Sequence, residues 1–130
     1  MNEPEFLDAD FIKEIHELAL ARWGGIGGVR DEALLESAIS AAESVYLYGG
    51  GDMFDIAAAY CFHIAESQAF MDGNKRTAVG ASFAFLDHNG IDTSGGTEGV
   101  LYDAVIAVAK HEIGRKEVAI LLREQFGGGA

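Results

Sequence analysis

The sequence predicts an all-α fold, a compact single-domain helical bundle of about six helices, on three observations. Apolar residues recur at helical spacing in segment after segment. Aspartates stand where helices would begin, and glycines or Asn-Gly where they would end. Two central stretches, Met53 to Gln68 and Thr77 to Leu86, are apolar nearly all round, which suits helices buried in the middle of a domain. At 130 residues the chain can form one sound core, whereas two domains would each be marginal. The domain is expected over residues 1–126, with Gly127–Ala130 as a disordered tail.

The elements follow in order. Phe11, Ile12, Ile15, Leu18 and Ala19 share a helical face, and Asp8 or Asp10 can cap its start. That helix stops at Trp23-Gly24-Gly25-Ile26-Gly27-Gly28, where glycines force a loop. Asp31 can cap a second helix carrying Leu34, Leu35, Ala38, Ile39 and Ala42 on one face. Gly49, Gly50 and Gly51 form the next loop, and Asp52 is placed to cap the first apolar helix. The second apolar stretch ends at Asn89-Gly90. Thr97 can cap a helix with Val100, Leu101, Ala104, Val105 and Val108; Val118, Leu121 and Leu122 mark the last one. No alternating pattern is long enough to assert a sheet, although a short hairpin fits Val45–Gly51 or Ile91–Thr93.

Composition narrows the function. Apolar residues make up 49% of the chain and charged ones 23%, as in an ordinary soluble globule. No apolar run reaches the roughly 18 residues a membrane span requires. The N-terminus is acidic, unlike the basic start of a signal peptide. Cys61, the single cysteine, excludes an internal disulfide, fits a reducing compartment and reads as a small buried hydrophobe. The net charge of −12 repels nucleic-acid phosphates, argues against DNA or RNA binding, and suits a partner of basic character.

The cations are unevenly spread. Between Arg30 and Lys110 the only lysine and arginine are the adjacent Lys75 and Arg76. They follow Asp72, Gly73 and Asn74 in a loop between the two apolar helices. Gly73 permits a sharp turn, and Asn74 opens a helix whose unpaired N–H groups and dipole favour an anion. Lys75 adds a point charge and Arg76 a fork suited to phosphate oxygens. Asp72 would repel a phosphate unless a hard cation such as Mg²⁺ stood between them. Carboxylate, turn, helix start and paired cations together point to a Mg²⁺-bound nucleotide di- or triphosphate, with Mg²⁺ at Asp72. The plainer alternative is that Asp72 caps the helix and the cations are solvated. Confinement between two core helices favours a site. Phe70 reads as the apolar pin of the loop.

The string Phe70-Met-Asp-Gly-Asn-Lys-Arg-Thr77 resembles the signature of Doc (death-on-curing) proteins, a branch of the Fic superfamily. Gly24-Gly25, Gly28-Val-Arg-Asp31 and Leu34-Leu35-Glu-Ser-Ala38 are similar to the family's N-terminal segment, and Phe85-Leu86-Asp-His-Asn89-Gly90 to the segment after its motif. The resemblance implies a helical fold with the motif at a helix junction and transfer of part of a nucleotide, ATP with Mg²⁺, to a protein hydroxyl. It implies Asp72 as the metal ligand, with Gly73, Asn74, Lys75, Arg76 and Thr77 binding the nucleotide. Lys75 stands where Doc toxins have lysine and AMP-transferring relatives usually have glycine, which favours phosphoryl transfer. The implied setting is a toxin–antitoxin module in the bacterial cytoplasm. A Phd-type antitoxin would be the partner and a translation factor like elongation factor Tu the target.

One position departs from the pattern. The family motif starts with a histidine two residues before the phenylalanine, and this chain has Gln68 there. That histidine is the expected general base; an amide has no titrating nitrogen near neutrality and can only position by hydrogen bonds. The chain is therefore expected to bind nucleotide and transfer poorly. His63, five residues earlier, lies well round the helix from Gln68 and reads as a packing histidine. His16, His88 and His111 have no partner legible in sequence. Gln68 is either an introduced inactivation or a natural departure. Three other readings stay open: AMP transfer, a non-catalytic nucleotide- or partner-binding protein, and a purely structural helical module.

Overall fold

A computed structural model describes residues 3–96 and 98–127. Six helices follow one another: α1 (Ala9–Trp23), α2 (Glu32–Leu47), α3 (Met53–Ser67), α4 (Asn74–His88), α5 (Glu98–Ala109) and α6 (Arg115–Phe126). Aspartates start the first three. The side chains of Asp8, Asp31 and Asp52 accept from the backbone N–H of Phe11, Leu34 and Asp55, satisfying donors that a helix start leaves open. Asp55 returns the bond to the Asp52 N–H at 3.0 Å, closing a capping box. The expected Thr97 cap lies outside the described residues.

Helix α3 is the hub, packed against α2, α4, α5 and α6, which accounts for its lack of a polar face. Ile56, Ala57, Ala58, Ala59, Tyr60 and Cys61 are all fully buried along it. Its small residues admit the neighbouring helices closely, while Tyr60 and Phe85 fill the space between α3 and α4 with rings 5.3 Å apart. Burial pushes the Cys61 thiol up to about 12, so it stays protonated and inert. Helix α1 lies on α4 at Gly80, where a Cβ would meet Ile15 Cγ2 at 2.7 Å. The N-terminal segment is tied down by Tyr60, whose hydroxyl accepts from the Leu7 N–H at 2.9 Å.

Two expectations need correction. Leu18, read as part of the apolar face of α1, is 70% exposed; the buried residues of that helix are Ile12 and His16, and Leu18 lies roughly 200° round from His16 at helical pitch. No hairpin forms at Val45–Gly51 or Ile91–Thr93. Val45 lies inside α2, which runs on to Leu47, and the Thr93 N–H and hydroxyl both donate to the Asp87 carboxylate, so those groups are satisfied locally. Gly127 caps α6, its N–H donating to the Arg123 carbonyl at 2.8 Å, and residues 128–130 of the expected tail lie outside the described residues.

Candidate active site

The loop between α3 and α4 is held from three sides. From below, His16 of α1 is buried to 3% exposure, stacks on the Phe70 ring at 4.0 Å, and donates from Nε2 to the Asp72 carbonyl at 2.8 Å. The acceptor is a carbonyl, so the proton must sit on Nε2. Within the loop, the Asn74 carboxamide accepts from the Phe70 N–H at 3.0 Å and donates to the Phe70 carbonyl at 3.1 Å, closing the turn on itself. From the N-terminal side, residues 28–31 clasp it. The Met71 N–H donates to Gly28, those of Arg30 and Asp31 to Ala69, and Val29 and Phe70 form an isolated antiparallel bridge. The Arg30 Nε–H donates to the Gln68 carbonyl at 2.7 Å, holding the end of α3.

This bracing sustains two left-handed residues. Gln68 ends α3 at φ 54°, ψ 37°, a conformation uncommon outside glycine. Gly73 precedes α4 at φ 76°, where its lack of a Cβ removes the penalty. Gly73 offers no side-chain cap, in contrast to the aspartates of α1–α3. Among the described residues, the N–H groups of Asn74, Lys75 and Arg76 have no acceptor, and Thr77 makes the first backbone bond of the helix, to Gly73 at 2.9 Å. The positive end of α4 is thus left open beside two cations.

Gln68, Asp72, Gly73, Asn74, Lys75 and Arg76 line one cleft of about 400 Å³, together with Trp23, Gly24, Met71 and Tyr102. Asp72 is exposed on its wall; its carboxylate accepts from the Gly73 N–H at 2.9 Å and the Ile26 N–H at 3.3 Å. Among the described residues it is the one carboxylate lining the cleft. That suits Mg²⁺, which is typically held by one or two carboxylates with the remaining positions taken by substrate phosphates and water.

Thr77 is different. It is fully buried with its hydroxyl unpartnered, and it does not line the cleft, so its side chain is removed from the set that can touch a ligand. Asn74 is present but its carboxamide is committed to Phe70, leaving only its backbone N–H for a ligand. His63 faces a separate groove between α2 and α3, with Leu34, Ser37, Ala38, Glu66 and Ser67. Burial, helped by the charge of Arg115, lowers its pKa against the opposing pull of Glu66.

The sequence reading missed His16, Trp23 and Tyr102. Trp23 is the chain's single tryptophan and stands immediately before the glycine loop, a placement that could have marked it. Tyr102 carried no such signal, because only the packing of α5 on α4 brings it to the cleft.

Residues 6–86 match the Fic/DOC family. The chain is 32% identical over 114 residues to the "Protein kinase doc" of Escherichia phage P1, covering 87% of this chain and 89% of that protein. It is 36% identical over 90 residues to the "Toxin Doc" of Mycolicibacterium smegmatis, covering 67% of this chain and 66% of that one. No helix of the described residues is long and apolar enough to cross a membrane. The family match over most of the fold, motif loop included, and the similarity to two Doc proteins lead to one conclusion: this chain belongs to the Fic/DOC family.

Proposed function

We propose that this chain is a Doc-type toxin of a toxin–antitoxin module, acting in the cytoplasm, with a phosphoryl-transfer site built for ATP and Mg²⁺. The carrying observation is the open N-terminus of α4: three acceptor-free N–H groups beside Lys75 and Arg76, with one carboxylate, Asp72, on the same cleft wall. Backbone amides and an arginine fork bind phosphate oxygens, and Lys75 adds charge close by. Asp72 would hold Mg²⁺, which supplies charge neutralisation for the phosphates. Phosphoryl rather than AMP transfer is favoured by Lys75 and by the kinase name of the phage relative.

The proton-accepting part is incomplete. Gln68 lines the same cleft as the phosphate-binding residues, where the motif histidine belongs, and its amide does not take a proton near neutrality. The chain as it stands binds nucleotide and transfers slowly. The target is a hydroxyl of a translation factor similar to elongation factor Tu, and a Phd-type antitoxin is the neutralising partner.

Calorimetry with ATP and Mg²⁺ tests the binding half; absence of binding removes every nucleotide-based reading. The reaction is read with ATP labelled at the α or the γ phosphate, supplied to the Gln68→His variant with the translation factor. Label from the γ position identifies a kinase, and label from the α position an AMP transferase. A folded, nucleotide-binding Gln68→His protein that transfers neither label, alongside an inert unmodified chain, leaves only a binding role.

A further inference from the structure

Arg76 is enclosed between two aromatic rings. Its guanidinium carbon lies 3.8 Å from the centre of the Trp23 ring and 3.7 Å from that of Tyr102. Trp23 ends α1, Arg76 is in the first turn of α4, and Tyr102 is in α5, so three helices contribute to one stack. A fourth layer extends it: Arg22 covers Trp23 at 4.7 Å, and its guanidinium approaches the Glu98 carboxylate at 3.8 Å, at the start of α5. Among the described residues Arg76 makes no ion pair.

We infer that Trp23 and Tyr102 are positioning residues that clamp the guanidinium of Arg76 in one plane, so that it meets a polyphosphate as a fork rather than as a mobile charge. The inference rests on the phosphate-binding reading of the motif loop. A free arginine has several rotatable bonds, and fixing them on binding opposes affinity. With both faces covered by rings, the planar group retains its N–H edges, the part that pairs bidentately with phosphate oxygens. The quadrupole of each ring also favours the cation in place before any ligand arrives. Lysine could not replace arginine here, because an ammonium is neither planar nor forked.

The clamp is distinguishable from a more familiar use of aromatic residues, stacking on the nucleotide base. Calorimetry with two probes, ATP and inorganic tripolyphosphate, each with Mg²⁺, separates the two. Trp23→Leu and Tyr102→Leu are expected to weaken both probes by the same factor, about 3- to 30-fold each. Trp23→Phe and Tyr102→Phe, which keep a ring, are expected to bind within about threefold of the unmodified chain. Arg76→Lys should bind as poorly as Arg76→Ala. A spectroscopic readout is built in, since Trp23 is the sole tryptophan. Its emission should change in ligand-free Arg76→Ala, and should change again in the unmodified chain when tripolyphosphate binds.

Weakening of ATP alone, with tripolyphosphate unaffected, overturns the clamp in favour of base stacking. Loss of binding in Arg76→Ala but none in the Leu variants also overturns it, while leaving the nucleotide reading intact. Failure of the unmodified chain to bind either probe overturns both readings together.

Discussion

The imidazole of His16 lies nearly parallel to the ring of Phe70, 15° apart in plane with centres 4.0 Å apart, and the same imidazole donates to the carbonyl of Asp72 at 2.8 Å. One buried side chain from α1 therefore holds the apolar pin of the motif and the backbone of its carboxylate residue at once. Since Asp72 and Gly73 set where α4 begins, α1 determines where the open helix end points.

Removing that contact should loosen the loop and the fold together. His16→Ala deletes a buried ring and leaves the Asp72 carbonyl short of its donor, an expected loss of about 2–4 kcal/mol in urea unfolding. His16→Gln, which retains a side-chain donor, should recover part of it. A loss below about 0.5 kcal/mol would mean that the Asn74–Phe70 hydrogen bonds and the clasp by residues 28–31 hold the loop without His16.

Restoring a base at the position of Gln68 should raise transfer. Gln68→His is expected to accelerate modification of the target by about 10²- to 10⁴-fold, the usual contribution of a positioned base. Histidine also tolerates the left-handed backbone at this position, being enriched there among non-glycine residues. Single-turnover rates with labelled ATP provide the measurement, and unchanged rates in a well-folded variant would count against base loss as the cause.

Asp72 should confer the Mg²⁺ dependence of nucleotide binding. In Asp72→Asn the affinity for ATP is expected to become nearly the same with Mg²⁺ and with a chelator, whereas the unmodified chain should distinguish the two. If Asp72→Asn keeps the full Mg²⁺ effect, the cation is bound by phosphates alone.

Acid stability should depend on the Asp52 cap. Burial alone would raise the Asp52 carboxyl, but the Asp55 N–H and the guanidinium of Arg123, 2.9 Å away, hold it below its ordinary value. A carboxyl with a depressed folded pKa contributes stability that is present above its unfolded value and lost as pH falls through the folded one. The expected window therefore opens below about pH 4. Arg123→Gln should flatten the acid limb of stability against pH, measured by urea unfolding across that range. An unchanged limb would show that the cap is held by the backbone alone.

Much of this molecule was readable from its sequence because the determinants were local. Asp8, Asp31 and Asp52 stand next to the helices they cap, and the apolar residues of α3 report its central burial without reference to any partner. The motif loop was readable for the same reason: Asp72 to Arg76 are contiguous, and a glycine before a helix start has one backbone consequence. Leu18 misled because spacing identifies a helical face but not the neighbour that would cover it.

The sequence by itself thus determined a helical bundle and a glycine-bearing loop with two adjacent cations at a helix start, with Gln68 where a histidine is expected. Tertiary structure decided how that loop is held and what faces it. His16 and Asp72 are 56 positions apart, and Trp23, Arg76 and Tyr102 come from three helices. Such contacts arise from the packing angles of whole helices, which no local pattern encodes. The same packing buried Thr77, while the Asn74 side chain is committed to Phe70 within the loop itself. The side chains left to face the cleft from the motif loop are those of Asp72, Lys75 and Arg76, with Gly73 and the backbone of Asn74 between them.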